Sequence, residues 1–347
     1  MKPGQQMRVL SSAPVPRETT NPYLTMVRDS LRRTPDVQLI DFSWRAAILG
    51  RFDIFHAHWP EILVGGRRGA KKWARQYLFA ILLLKLSVRR IAIVRTVHNV
   101  ELPQGISAVE RLLLGRLERA TAAYIRLNDR TQIPADRAAC TIVHGHYREW
   151  FSAQPRSDRC AGRFGYAGLI RRYKGVDQMV RAFGSLDDPE LSLRIGGQPS
   201  SEELAAVVRS AADQDPRVVT DLHFLTDAEL VRIITESELV VLPYRFMHNS
   251  GGALAALSLD RPVLVPDNQV NRDLAAEVGP GWVQLFDGDL SGWAMLEALS
   301  GVRQARRLTP DSRPDLSARG WERVGEQHRA LYRVALRAMR AGAQQDE

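Results

Sequence analysis

Two cysteines, Cys140 and Cys160, are all that this 347-residue chain contains. They cannot build a disulfide framework or a four-thiolate zinc site, and a reducing, cytosolic setting fits such a sequence. Long apolar runs are missing as well. The longest, 77–84, extends past Lys85 only to residue 86, far short of the ~20 residues that span a bilayer. The first residues carry charge but no apolar stretch of the signal-peptide kind. Glycine-rich nucleotide signatures are absent too. The first strand candidate, 7–11, leads into Ser12-Ala13-Pro14-Val15-Pro16 where a dinucleotide fold needs G-x-G-x-x-G, and no Walker A loop occurs. These absences argue against an NAD enzyme and a P-loop ATPase.

What is present is an ordinary globular composition, 45% hydrophobic and 25% charged, which argues against disorder. The length suggests two domains at about 150 residues each. Lys and Arg exceed Asp and Glu by 48 to 39, a formal charge of +9. That excess suits an acidic partner: nucleic acid, an anionic membrane or a phosphorylated small molecule. No zinc-finger or RNP pattern and no aromatic platform accompany the basic residues, so nucleic acid is not expected.

Short apolar runs alternate with amphipathic ones. Strand candidates in the first half are 7–11, 37–42, 53–58, 91–98, 123–127 and 141–144, with helical patterns at 22–32, 71–87 and 108–120. Continuous apolar strands of this kind are buried on both faces of a parallel sheet. A polar stretch, 149–162, reads as a linker. The alternation then restarts with strands at 163–167, 191–195, 218–225, 239–243, 263–266 and 282–286, and helices at 175–183, 201–212, 227–236, 252–259 and 290–299. Asp227 is the expected cap of its helix. The span 316–341 is one Arg-rich helical pattern. The expected class is α/β: two Rossmann-like, doubly wound domains facing a central cleft, where ligands would bind beyond the carboxyl ends of the strands.

Two segments carry phosphate chemistry. Gly165-Tyr166-Ala167-Gly168-Leu169-Ile170-Arg171-Arg172-Tyr173-Lys174-Gly175 runs from a strand through a basic loop into a helix. Its glycines allow close approach, and Arg171, Arg172, Lys174 and the helix start supply positive charge. In Pro243-Tyr244-Arg245-Phe246-Met247-His248-Asn249-Ser250-Gly251-Gly252-Ala253-Leu254 a strand end leads through a polar loop into an apolar helix, whose first N–H groups could also cradle phosphate. Ser250 alternatively serves only as a helix cap.

Together these segments resemble the donor domain of GT-B glycosyltransferases, particularly family 4. The strand ends Phe52-Asp53-Ile54-Phe55-His56-Ala57-His58-Trp59-Pro60-Glu61 and Thr96-Val97-His98-Asn99-Val100 look like the first-domain motifs of the same class. The resemblance covers nearly the whole chain. It implies an acceptor-binding domain at 1–150, a nucleotide-sugar donor domain at 163–315, and a C-terminal helix, 316–347, crossing back onto the first domain.

On the same resemblance, Lys174 and one of Arg171 or Arg172 hold the diphosphate as charge develops on the leaving group. Ser250, Gly251 and Gly252 donate backbone N–H groups to it, with Tyr244 and Asn249 in the same loop. Gly168 and Gly197 line the nucleotide site, Phe224 and Leu225 lie beside the base, and His98 sits near the transferred sugar. The reaction implied is hexose transfer from a nucleotide diphosphate sugar to a glycan or lipid-linked hydroxyl. GDP-mannose is the first expectation for the donor and a UDP-sugar the second. An inverting transferase needs a base opposite the leaving group, for which His58, Glu61, His98 and Glu101 are candidates. Asp53 and Trp59 are expected to be structural.

This chain departs from the family pattern in two places. Leu169 stands where the family has Arg, which passes that role to Arg171. The E-x7-E glutamates are replaced by Met247 and Ala255, which motivates a catalytically silent sugar-nucleotide binder as the alternative function. Asp287-Gly288-Asp289 fits a turn, not a metal-binding D-x-D, and His144-Gly145-His146 fits a strand-end turn. No metal or other cofactor is expected. The stretch 67–90 mixes Arg67, Arg68, Lys71, Lys72, Arg75, Lys85, Arg89 and Arg90 with Trp73 and the apolar run. It is expected to be a domain helix with basic ends and a buried middle, giving at most weak peripheral contact at the inner face of the membrane.

Overall fold

The computed structural model describes residues 6–66, 69–98 and 105–345, with side chains through residue 340. Two compact units result: Met1–His144 with Gly320–Glu347, and Gly145–Arg319.

Unit 1 is built on six parallel strands: β1 (Met7–Ser11), β2 (Val37–Ile40), β3 (Ile54–Ala57), β4 (Ala92–Val97), β5 (Ala123–Arg126) and β6 (Ala138–Thr141). Their order is β2-β1-β3-β4-β5-β6. The chain therefore changes direction of travel between β1 and β3. Successive strand residues feed opposite faces. Met7 and Val9 join one core with Ile54, Ala92 and Val94, while Leu10, Phe55 and Ile93 join the other.

Helix α1 (Pro22–Arg33) starts where Asn21 Oδ1 accepts from Tyr23 N and Pro22 fills the first turn. It buries Tyr23, Val27 and Leu31. The short α2 (Trp44–Leu49) and α3 (Pro60–Val64) follow strand ends. Helix α4 (Ala70–Val88) buries Gln76, Phe79, Leu82 and Leu86. Helix α5 (Ala108–Ala120) opens on a capping box between Ser107 and Glu110.

Strand β6 lies three residues earlier than the apolar Ile142-Val143 pair suggests. The ladder with β5 is consumed by 138–141, leaving Ile142 N a last bond to Arg126 O at 3.0 Å.

Unit 2 repeats the plan with β7 (Arg163–Ala167), β8 (Ser192–Gly196), β9 (Val218–Asp221), β10 (Leu239–Val241), β11 (Val263–Pro266) and β12 (Val283–Phe286), in the order β12-β11-β10-β7-β8-β9. The turning point is between β7 and β10. Its helices are α6 (Val176–Gly184), α7 (Glu202–Gln214), α8 (Asp227–Glu236), α9 (Gly251–Ser258), α10 (Gln269–Val278) and α11 (Gly292–Leu308).

Three sequence expectations are corrected here. Thr226, not Asp227, caps α8. Its hydroxyl takes Glu229 N while Glu229 answers to Thr226 N, and Asp227 instead accepts the Trp150 indole at 2.9 Å. The strand expected over 218–225 stops at Asp221, which Arg194 holds at 2.7 Å. The polar stretch 149–162 is not a free linker: Phe151 is buried, and Ser157 N and Cys160 N bond to Thr235 Oγ1 and Glu236 O.

The last helix, α12 (Val324–Gln345), belongs to unit 1 and packs against α1 and β4. Trp321, Leu331, Tyr332 and Ala335 complete the core of Tyr23 and Val27.

Candidate functional site

In open parallel sheets, ligands sit beyond the carboxyl ends of the strands where the order turns. In unit 2 that point receives both phosphate segments. After β7, Gly168 N bonds to Gly196 O at 3.0 Å and Ile170 N to Gln198 O at 3.0 Å, so the loops after β7 and β8 run side by side. Gly197 is at φ +146, and a Cβ there would collide with the Gly168 carbonyl. Gly175, at φ +65, ends the single 3-10 turn Arg172–Lys174, and a Cβ would strike the Pro243 carbonyl. Both glycines are therefore fixed by backbone approach.

Lys174 Nζ lies 5.2 Å from the centre of the Tyr244 ring and 3.7 Å from where a Gly168 Cβ would be. The Tyr244 hydroxyl comes within 3.2 Å of the Cβ position of Gly252. Ser250 caps α9, its hydroxyl accepting from Ala253 N at 3.1 Å. The N–H groups of Gly251 and Gly252 in the first turn have no intrahelical acceptor. One cation, one phenol and a helix N-terminus thus converge at the turning point, the chemistry that receives a phosphate.

The other expected residues are distributed around this centre. Arg171 precedes the 3-10 turn and is partly buried. Arg172 is exposed and reaches Glu203 at 2.8 Å. Leu225 packs over Gly196 beside Gly197, while Phe224 is exposed. Asn249 is partly buried. Met247 and Ala255 are buried, and the Met247 carbonyl accepts from Asn268 Nδ2 at 2.9 Å. Gly288 makes a left-handed turn between β12 and α11, with Asp289 accepting from Gln178. Among the described residues, no group of three His, Cys, Asp or Glu side chains is placed to hold a metal.

Unit 1 brings its histidines together. His58 Nδ1 and His98 Nε2 share a hydrogen bond at 3.3 Å, and the Trp59 indole stacks on His98 with centroids 3.7 Å apart. Ser12 Oγ accepts from His58 N at 2.9 Å. His56 is held at both nitrogens, by Thr96 Oγ1 and the Tyr332 hydroxyl, each at 2.8 Å. His144 packs on Tyr23, and His328 lies 5.5 Å from His56 with its Nε2 buried and unpartnered. Burial, then the neighbouring His328, pushes His58 down to about 3; burial holds His328 at about 4. Burial and neighbouring histidines also keep His56 and His98 well below the ordinary range. Glu101 lies outside the described residues. Asp53 is structural: its carboxylate takes Arg8 N at 2.8 Å and the Arg8 side chain.

Sequence reasoning missed Tyr332 and His328. Their signal is the spacing of Val324, His328 and Tyr332, one helical face four residues apart. It also missed Ser12 and the ring face of Tyr244.

Helix α4 differs from expectation. Opposite its buried face, Trp73, Tyr77, Leu84 and Val88 are 66%, 68%, 64% and 70% exposed. Ile62 on α3 and Leu112 on α5, helices that pack against α4, are exposed too, and Lys71, Arg75, Arg89 and Arg90 are exposed near the two ends of α4. Arg67 and Arg68 lie outside the described residues. No helix among the described residues is long and apolar enough to cross a membrane.

No protein-family profile matches the chain. Two curated proteins of Xanthomonas campestris pv. campestris, from the pathovar and from one of its strains, are each 41% identical over 332 residues, 95% of this chain and 93% of theirs. Both are described as GDP-mannose:glycolipid 4-beta-D-mannosyltransferase. Among solved structures, Anabaena HepE in complex with UDP and glucose superposes with a TM-score of 0.62 at 11% identity, covering 94% of this chain and 99% of that one. Sucrose-phosphate synthase from Thermosynechococcus elongatus reaches 0.57 at 12%, covering 98% and 99%. AviGT4, a glycosyltransferase of avilamycin A biosynthesis, reaches 0.51 at 13%, covering 95% and 98%. At these identities the structural neighbours speak for the fold alone.

Proposed function

Given that the chain belongs to the family of GT-B glycosyltransferases that includes the two Xanthomonas mannosyltransferases, we propose that it transfers mannose from GDP-mannose to a sugar hydroxyl of a glycolipid. It is a hexosyltransferase; the donor, the acceptor and the stereochemistry are the proposal. The observation that carries it is the convergence of Lys174, Tyr244 and the α9 N-terminus where the second sheet turns. In this reading Lys174 and the Gly251 and Gly252 amides stabilise the diphosphate as it leaves. The site supplies that positive charge from its own groups, so the proposed reaction needs no divalent metal.

GDP-mannose carries its sugar in α linkage. A β-linked product, as in the relatives' description, therefore means inversion at C1 and a base in the acceptor-side unit. The exposed apolar face of α4, with Lys71 and Arg75 near its start and Arg89 and Arg90 just past its end, would rest on an anionic membrane surface on the cytoplasmic side, where it would meet a lipid-linked acceptor. Both cysteines are free, in keeping with a reducing compartment.

The test is a melting-temperature comparison with GDP, UDP, ADP and TDP, then GDP release from GDP-mannose with and without a glycolipid extract. GDP alone should raise the melting temperature strongly, and the extract should accelerate GDP release. Selective stabilisation by UDP would refute the donor assignment. Sedimentation with phosphatidylglycerol vesicles at low salt tests the membrane contact: Trp73→Ser with Tyr77→Ser should abolish it.

A further inference from the structure

Arginine supplies nearly all the positive charge of this chain. Of its 48 basic residues only five are lysines, and one of the five is Lys174. An ammonium is a compact charge on a flexible four-carbon stem, so it is held in place less readily than a planar guanidinium. Among the described residues no carboxylate holds Lys174. The carboxylates of Asp177 on α6 and Glu203 on α7 are taken by Arg181 at 3.0 Å and Arg172 at 2.8 Å. What faces the ammonium is the Tyr244 ring, with Nζ 5.2 Å from its centre. That ring is itself fixed. It is buried, Tyr173 meets it edge-on with centroids 6.2 Å apart, and Arg245 N bonds to Tyr173 O at 2.9 Å, joining the two loops. The Tyr244 hydroxyl, by contrast, makes no hydrogen bond among the described residues.

On the glycosyl-transfer reading above, in which Lys174 meets the leaving diphosphate, we propose that Tyr244 is the positioning residue for Lys174. The face of an aromatic ring carries negative potential and attracts a cation within about 6 Å of its centre. The Tyr244 ring therefore holds the ammonium beside the α9 N-terminus before the donor arrives. A carboxylate in that place would hold it too, but it would neutralise the lysine and repel the diphosphate. The ring fixes the stem and leaves the full charge for the ligand. Tyr244 acts through Lys174, and its π-face, not its hydroxyl, does so.

Two measurements on the full chain test this, the first without reference to activity. Reductive methylation with carbon-13 formaldehyde labels the lysines for NMR, and the Lys174 signal is the one that Lys174→Arg removes. In the wild type the ring current of Tyr244 should place it upfield of the exposed Lys71. It should stay upfield in Tyr244→Phe and move to the position of an exposed lysine in Tyr244→Leu. A Lys174 signal that Tyr244→Leu leaves in place overturns the proposal. The second measurement follows GDP release from GDP-mannose with glycolipid extract as acceptor. Tyr244→Leu should lower kcat about tenfold, and Tyr244→Phe should recover the greater part of that loss. In a Lys174→Ala background Tyr244→Leu should cost less than about twofold, because the partner it serves is gone. A Tyr244→Phe enzyme as slow as Tyr244→Leu, or an equal loss with and without Lys174, overturns the proposal. Wild-type turnover by Lys174→Ala refutes the diphosphate reading instead, and the NMR signal then decides whether Tyr244 holds the lysine. If Tyr244→Leu does not fold, fluorinated phenylalanines at position 244 keep the ring's shape and drain charge from its face: kcat should fall with each added fluorine, and a flat series overturns the proposal.

Discussion

Acidification should unfold unit 1 well before its carboxylates are protonated. His58 and His328 are fully buried and neutral, held at about 3 and about 4 against an ordinary 6.5. In the unfolded chain both regain ordinary values and bind protons as the pH falls below 6.5. The folded state does not bind them until the pH reaches the depressed values. Stability is therefore complete above 6.5 and declines as pH drops through 6.5 toward 4. Between pH 7 and pH 5 each histidine accounts for about 2 kcal/mol, roughly 4 kcal/mol together. His56 and His98 shift in the same direction and add to this loss. A domain of this size should show a fall in melting temperature of about 10 °C. Urea titrations of the full chain at pH 7 and pH 5, followed by tryptophan fluorescence, measure the loss; Trp59 and Trp321 both pack in this unit. His328→Leu removes one titrating group and should flatten the pH dependence by about 2 kcal/mol. Equal stability at the two pH values, or no flattening in that variant, would refute the buried-neutral account.

Lys174→Ala should cut turnover by roughly 10²-fold, because on the proposed reading it removes the cation that would meet the departing diphosphate; the steady-state rate of GDP release reads this, with Lys174→Arg retaining part of it. Tyr332→Phe deletes the hydroxyl bonded to His56 and should cost about 1 kcal/mol of stability in urea titration. Gly197→Ala drives a methyl into the Gly168 carbonyl and should destabilise unit 2 by about 2–4 kcal/mol, with GDP no longer raising the melting temperature.

The strands and longer helices were legible because burial on two faces writes continuous apolar runs and a packed helix writes a 3.6-residue period. Strand β1, helix α5, helix α8 and strand β11 begin and end where those patterns do. The short helices α2, α3 and α10 were not. Trp44–Leu49 and Pro60–Val64 are too brief to show a period, and Gln269–Val278 buries only Asn271, Leu274 and Val278. The two loops that meet at the turning point of the second sheet could be read because glycine, Lys174 and Ser250 fall at strand and helix ends. The histidine cluster could be read only by half. His56, His58 and His98 mark two strand ends, but the Tyr332 hydroxyl that holds His56 is 276 residues away, and nothing local encodes that contact. The exposed ridge of α4 was hidden for another reason: a helix apolar on both sides reads as buried until its neighbours are known.

The return of α12 to unit 1 imposes an order on biosynthesis. Gly145–Arg319 holds all six of its strands within one continuous stretch and can reach its native packing as soon as that stretch leaves the ribosome. The earlier-made sheet must wait with Tyr23 and Val27 uncovered until Trp321 and Tyr332 arrive. The part translated first is thus finished last, and a ribosome stalled before codon 320 releases a chain whose later half is complete while its opening half still exposes a sticky apolar face.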